Sequence, residues 1–141
     1  VGHGSVTTKL ILTTFFREHF MKALVVDDSK MMRAVEQKAL ESLGWQVAVA
    51  ANGVEALGVL QNMGECSLVL ADWQMPEMDG LTLVKHIRKD PKYGQVTIIM
   101  VSSNAVMESI QEALDAGAND FVMKPFSVDA LKERINEAFN G

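Results

Sequence analysis

From Met21 onward, short apolar runs alternate with longer segments whose apolar residues fall three and four apart, and this alternation constrains the fold more than any other feature of the chain. A run of about four to eight mostly apolar residues suits a strand, whereas the three-four spacing suits one buried face of a helix. Runs at Ala23–Val26, Gln46–Ala50, Leu68–Ala71, Val96–Val101 and Asp120–Met123 predict five strands. Most are nearly continuous, as parallel strands covered on both faces must be. Helical patterns occupy Lys30–Leu43, Gly53–Asn62, Gly80–Lys89, Val106–Ala116 and Val128–Phe139, each behind a cap or turn residue. Successive βα units with right-handed crossovers predict an α/β fold, a doubly wound five-stranded parallel sheet of strand order 2-1-3-4-5.

At 141 residues and 48% hydrophobic, the chain can bury a core as one compact domain without help from a metal or disulfide. A formal net charge of −5 argues against a nucleic-acid surface, which needs clustered Lys and Arg to displace counterions. The single cysteine, Cys66, cannot form an internal disulfide and fits a reducing cytoplasm as a small buried residue. No apolar run approaches the roughly 18 to 20 residues needed to span a bilayer. Residues 1–20 stand outside the strand-helix pattern and open on Val-Gly-His-Gly-Ser, which reads as a vector-derived N-terminal extension before a native start at Met21. Within them Leu12, Phe16 and Phe20 share a helical face, while Val6 to Thr14 is rich in β-branched residues, so helix and strand both fit.

In open α/β sheets, ligands bind beyond the carboxyl ends of the strands, so chemistry is sought in the residues that follow each strand. After the first strand come Asp27, Asp28 and Ser29, where the plain explanation is helix capping. Asp72 follows the third, in a loop shaped by Pro76 and Gly80, with Asp79 available to cap the next helix. Neighbouring first and third strands would bring Asp27, Asp28 and Asp72 together. Their repulsion must be relieved, by protonation with raised pKa values or by a hard divalent cation such as Mg²⁺, which prefers oxygen ligands and retained water. The cation reading points to phosphoryl chemistry. Ser102 ends the fourth strand and Lys124 the fifth. Each alone is explained by capping or by reach to solvent, yet together they offer a hydroxyl and an ammonium to phosphoryl oxygens on Asp72.

The ordered segments Val25-Val26-Asp27-Asp28-Ser29, Asp72-Trp73-Gln74-Met75-Pro76-Glu77-Met78-Asp79-Gly80, Val101-Ser102-Ser103 and Lys124-Pro125-Phe126 resemble the CheY-like receiver domains of two-component response regulators, over residues 21–141. The resemblance implies a flavodoxin-like (βα)5 fold and a phosphoacceptor switch that assists its own phosphorylation and dephosphorylation but is not an enzyme. Asp72 would take a phosphoryl group from a phosphohistidine of a sensor kinase or phosphotransfer protein. Asp28 would ligate Mg²⁺ directly, Asp27 mainly through water, and Asp72 and the Gln74 backbone carbonyl would complete the protein ligands. Lys124 would bind the phosphoryl group, with a cis bond before Pro125. Ser102 and Phe121 would be the switch pair, the phenyl ring lacking the hydroxyl that many relatives carry there. Gln74 and Asn104 would tune phosphate lifetime, and neither being acidic implies intermediate or slow self-dephosphorylation.

Other readings fit less well. A flavodoxin-type cofactor binder needs hydroxyls and amides where Asp27 and Asp28 would repel a phosphate. An aspartate-nucleophile phosphatase needs its two acids after the first strand two residues apart, and these are adjacent. A phosphorylation-independent pseudo-receiver, or the receiver of a larger regulator with a DNA-binding or enzymatic output, remains as an alternative. The expectation is a stand-alone cytoplasmic regulator of chemotaxis type that reads out through its fourth helix, fifth strand and fifth helix to a protein target, with phosphorylation-dependent dimerisation open.

Overall fold

The computed structural model describes residues 21–103 and 107–140. The N-terminal extension, Asn104 and the expected helix start at Val106 lie outside the described residues. Strands β1 (Lys22–Val26), β2 (Gln46–Ala50), β3 (Leu68–Asp72), β4 (Thr97–Ser102) and β5 (Asp120–Met123) form one sheet of order 2-1-3-4-5. Every pairing is parallel. Helices α1 (Lys30–Ser42), α2 (Gly53–Met63), α3 (Gly80–Lys89), α4 (Met107–Ala116) and α5 (Val128–Asn140) alternate with the strands, giving the flavodoxin-like arrangement.

Successive strand residues point to opposite faces, so each strand feeds two cores. Leu24, Val26, Val69, Ala71, Ile98 and Met100 pack beneath Leu60 of α2, Leu83 and Ile87 of α3, and Ala113 of α4. Ala23, Val25, Leu68, Leu70, Ile99 and Val101 pack on the other face beneath Leu40 of α1 and Leu131 and Ile135 of α5. β3 is buried along its whole length, whereas β2 at the sheet edge is partly exposed. This is the burial that a nearly continuous apolar sequence in a central parallel strand requires.

Two boundaries differ from the sequence expectation in ways that matter. β3 runs one residue further, because Asp72 pairs with Val101 of β4. β4 begins at Thr97 rather than Val96. A short 3₁₀ turn at Pro91–Tyr93 precedes it, and the Val96 carbonyl accepts a bond from the Arg88 guanidinium at 2.8 Å. Arg88 also donates to the carbonyls of Tyr93 and Gly117 and to the Asn119 side chain, tying the amino edge of the sheet together.

The register fixes what stands at the carboxyl edge. Val26 is level with Ala71, so the next residues, Asp27 and Asp72, end neighbouring strands side by side. Ser102 is level with Met123, which puts Lys124 one step beyond. α3 starts hard against this edge. Gly80 N–H donates to the Trp73 carbonyl at 2.8 Å, and a Cβ on Gly80 would collide with the Asp72 carbonyl oxygen and lie 2.8 Å from Met100 Cε. Gly80→Ala is therefore expected to destabilise the fold by roughly 1 to 3 kcal/mol through overpacking, measured as a lowered urea midpoint with an unchanged slope.

Candidate functional site

Asp27 and Asp28 do not cap the helix that follows them. Ser29, not Asp27 or Asp28, caps α1, its Oγ accepting from Met32 N–H at 3.2 Å. The capping explanation for the acid pair is thereby displaced. Asn52 and Asp79 cap α2 and α3 through Glu55 and Thr82 N–H, so Asp79 does have the structural task the sequence offered it. Asp27 is fully buried and held from several sides. Its Oδ1 accepts from Ser29 N–H at 2.9 Å, its Oδ2 from Lys124 Nζ at 3.0 Å, and its backbone carbonyl from Arg33 Nη1 at 2.8 Å.

Lys124 also reaches Asp72 Oδ1 at 3.3 Å. The peptide bond between Lys124 and Pro125 is cis. Asp28 is exposed, yet it offers a carboxylate oxygen that lies within 4.8 Å of one from each of Asp27 and Asp72. Three carboxylates thus face one ammonium. This all-oxygen donor set suits a hard divalent cation that keeps part of its water shell.

The electrostatics follow from that imbalance. Burial, then the neighbouring Asp27 charge, pushes the Asp72 carboxyl up from 3.8 to about 6, against the opposing pull of Lys124. Burial alone would favour a neutral Lys124, but its bond to Asp27 and the charge of Asp72 outweigh it and hold the ammonium above the ordinary lysine range. A further acid, Glu36 of α1, is buried near Asp27. Burial, then the charge of Asp27, raises it from 4.5 to about 9. Sequence reasoning missed Glu36, although a signal existed: it sits among Met32, Ala39, Leu40 and Leu43, at three-four spacing on what is otherwise the apolar stripe of α1.

The remaining expected site residues are placed as follows. Ser102 is buried at the end of β4. Phe121 of β5 is buried with its ring edge-on to Trp73, centroids 6.3 Å apart. Gln74 is exposed in the loop between β3 and α3, where Glu77 takes a left-handed φ of 67°. Cys66 is far from this cluster in the fold, at the amino edge. Its thiol donates to the Leu68 carbonyl at 3.2 Å, and burial pushes it up to about 11.

Clustered carboxylates and a lysine at the carboxyl edge of a doubly wound sheet suit phosphoryl chemistry. Residues 23–136 match the model of the response regulator receiver domain, and the chain belongs to that family. It is a CheY-like receiver of two-component phosphorelay signalling, a phosphoacceptor switch rather than an enzyme in the usual sense. It is 40% identical over 116 residues to chemotaxis protein CheY1 of Helicobacter pylori, covering 82% of this chain and 94% of that protein. It superposes on chemotaxis response regulator CheY4 of Vibrio cholerae with a TM-score of 0.80 at 31% identity, over 85% of this chain and 99% of the other. The CheX-CheY-BeF3-Mg complex of Borrelia burgdorferi gives a TM-score of 0.79 at 28% identity, over 86% and 90% of the respective chains.

The raised acids set the pH response. An acid whose folded pKa is raised binds its proton more tightly when folded, so its ionisation opposes folding. For Asp72 this opposition is absent below its ordinary value of 3.8, grows with rising pH, and is complete above about 6. Without divalent cation, Asp72→Asn is expected to raise unfolding free energy at neutral pH by roughly 1 to 3 kcal/mol. Urea titrations across pH 3.8 to 6 should show stability falling less with pH in the variant than in the wild type.

Proposed function

We propose that Asp72 is the phosphoacceptor and that Asp27, Asp28, Lys124 and Ser102 complete its site. The carrying observation is that Lys124 bridges Asp27 and Asp72 while Asp28 closes the carboxylate trio. With a pKa of about 6, Asp72 is mostly ionised at neutral pH and nucleophilic. One of its oxygens attacks the phosphorus of a phosphohistidine on a histidine kinase or phosphotransfer protein. An O–P bond forms as the P–N bond breaks, and that bond's electron pair leaves with the imidazole. Lys124 is within reach to accompany the phosphoryl oxygens as a charge-assisted donor, and Ser102 adds a hydroxyl from the next strand.

The cofactor that fits is Mg²⁺, held by Asp28, Asp72, Asp27 and the Gln74 backbone carbonyl. When bound, it supplies the positive charge that three carboxylates and a phosphoryl group lack. Gln74 and Asn104 tune how long the acyl phosphate lasts. Replacing Asn104 by Glu is expected to change the rate of phosphate loss, followed by mass spectrometry, and an unchanged rate would refute its role.

Readout passes through Ser102 and Phe121. Phe121 touches Trp73, the residue after the acceptor, and also lines a groove with Leu114, Met123, Phe126 and Arg134 between α4, β5 and α5. That groove is the face offered to a downstream protein. The CheY-named relatives favour chemotaxis, with residues 21–141 as one cytoplasmic receiver unit behind the extension at 1–20. No helix among the described residues is long and apolar enough to cross a membrane.

The test is incubation with Mg²⁺ and acetyl phosphate, read by intact-protein mass. The wild type should gain one phosphoryl group, Asp72→Asn should gain none, and EDTA should abolish the gain. A wild type that gains nothing overturns the assignment.

A further inference from the structure

The loop that leads away from Asp72 is tied at both ends. Trp73 N–H donates to the Val101 carbonyl at 3.0 Å, the Trp73 carbonyl accepts from Gly80 N–H at 2.8 Å, and Asp79 caps α3. Between these ties the chain turns sharply. Met78 N–H donates to the Pro76 carbonyl at 2.7 Å across Glu77, whose φ is 67°. A three-residue turn with positive φ is the rare, strained form. Such a backbone persists only where its surroundings hold it, and Gln74, Pro76 and Glu77 are all exposed.

Met78 supplies the hold. Its side chain is half-buried against the core beneath α2, α3 and α4. A Cβ added at Gly53 would lie 2.8 Å from Met78 Cγ and 2.9 Å from its Cβ and Sδ, so the methionine rests on the bare backbone at the first residue of α2. That end of α2 is itself fixed. Asn52 caps it through Glu55 N–H, and the Ala50 carbonyl, at the end of β2, accepts from Asp27 N–H at 3.1 Å. The contact therefore joins the loop after Asp72 to the segment that is bonded to Asp27. Glycine in a helix costs backbone entropy, and here the close approach of Met78 accounts for it.

We propose that Met78 is a positioning residue of the phosphoacceptor site: seated on Gly53, it holds the strained turn at Glu77 and so sets the course of the backbone that carries the Gln74 carbonyl. The inference rests on the reading of that carbonyl as a cation ligand beside Asp27, Asp28 and Asp72. Met78 is no ligand and acts through the loop alone. Loss of a group that orients a metal ligand typically weakens affinity by about 10- to 100-fold.

Met78→Ala empties the seat, Met78→Leu refills it with an apolar side chain of similar size, and Gly53→Ala crowds the same contact from α2. Mg²⁺ affinity is measured by titration calorimetry, with thermal melts in EDTA reporting the fold. The alanine variant should bind Mg²⁺ about tenfold more weakly than the wild type, and the leucine variant within about twofold of it. Gly53→Ala should weaken binding in the same direction, and it serves as the test should Met78→Ala fold poorly. In a Glu77→Gly background, where glycine takes the left-handed backbone freely, Met78→Ala should cost less than about threefold. Folded Met78→Ala and Gly53→Ala variants that bind like the wild type would show that the contact serves packing only. A loss equally large in both backgrounds would show that Met78 does not act through the turn. Either result overturns the inference while leaving the cation site intact. A wild type that binds no Mg²⁺ overturns the cation site as well.

Discussion

Three carboxylates at one end of a parallel sheet repel one another, and the structure is organised around containing that repulsion. Asp27 and Asp72 are both buried, so water screens their charges poorly and Lys124 is the ammonium that reaches both, at 3.0 and 3.3 Å. The compensation is unequal. Asp27 takes the shorter bond and a backbone N–H besides, while burial and then the Asp27 charge push the Asp72 carboxyl up to about 6. A site under-compensated in this way has affinity for added positive charge, which is the property a cation-dependent phosphoacceptor needs.

The rest of the fold supplies the precision. Parallel register sets Asp27 beside Asp72 and carries Ser102 and Lys124 to the same edge, while cores on both faces of the sheet prevent the strands from slipping. A slip of one residue would turn every apolar side chain of β3 toward the wrong layer. The helix caps matter for the same reason. With Ser29 occupying the cap of α1, neither Asp27 nor Asp28 is spent on orphan helix N–H groups. Gly80 lets α3 begin directly against the Asp72 carbonyl, closing the loop that carries Trp73 and Gln74.

The architecture was legible in the sequence because parallel strands buried on both faces must be nearly all apolar, and runs such as Leu68–Ala71 have no other economical reading. The acid trio and Lys124 were legible for a related reason, since charged residues directly after such runs interrupt the apolar pattern at the carboxyl edge and call for another task. What escaped were features whose signals are tertiary. The pattern of α1 marks Glu36 only as a charged residue on an apolar stripe, and nothing local says that Asp27 waits on the other side. The partners of Arg88 come from two separate stretches of chain, the carbonyls of Tyr93 and Val96 in one and the Gly117 carbonyl and Asn119 side chain in the other. The left-handed backbone at Glu77 has no glycine or asparagine to announce it, because the turn between Pro76 and Gly80 imposes it. Val96 reads as strand from its side chain, yet its carbonyl is taken by Arg88 and it falls outside the ladder.

Coupling from this edge to a distant reader requires an element that belongs to both. Phe121 qualifies on packing grounds: it is part of the buried core beneath α2, α3 and α4, its ring meets Trp73 edge-on, and it borders the groove between α4, β5 and α5. Close-packed interiors transmit displacement because they have few voids in which to absorb it. In the proposed switch, a rearrangement at Ser102 and the loop after Asp72 alters the space available to the Trp73 and Phe121 rings together, and the groove changes shape with them. In that proposal a phenyl ring, lacking a hydroxyl, would carry the signal through volume alone. The output would then depend on steric fit between core and groove, and a partner would respond to the shape of the groove rather than to a hydroxyl at position 121.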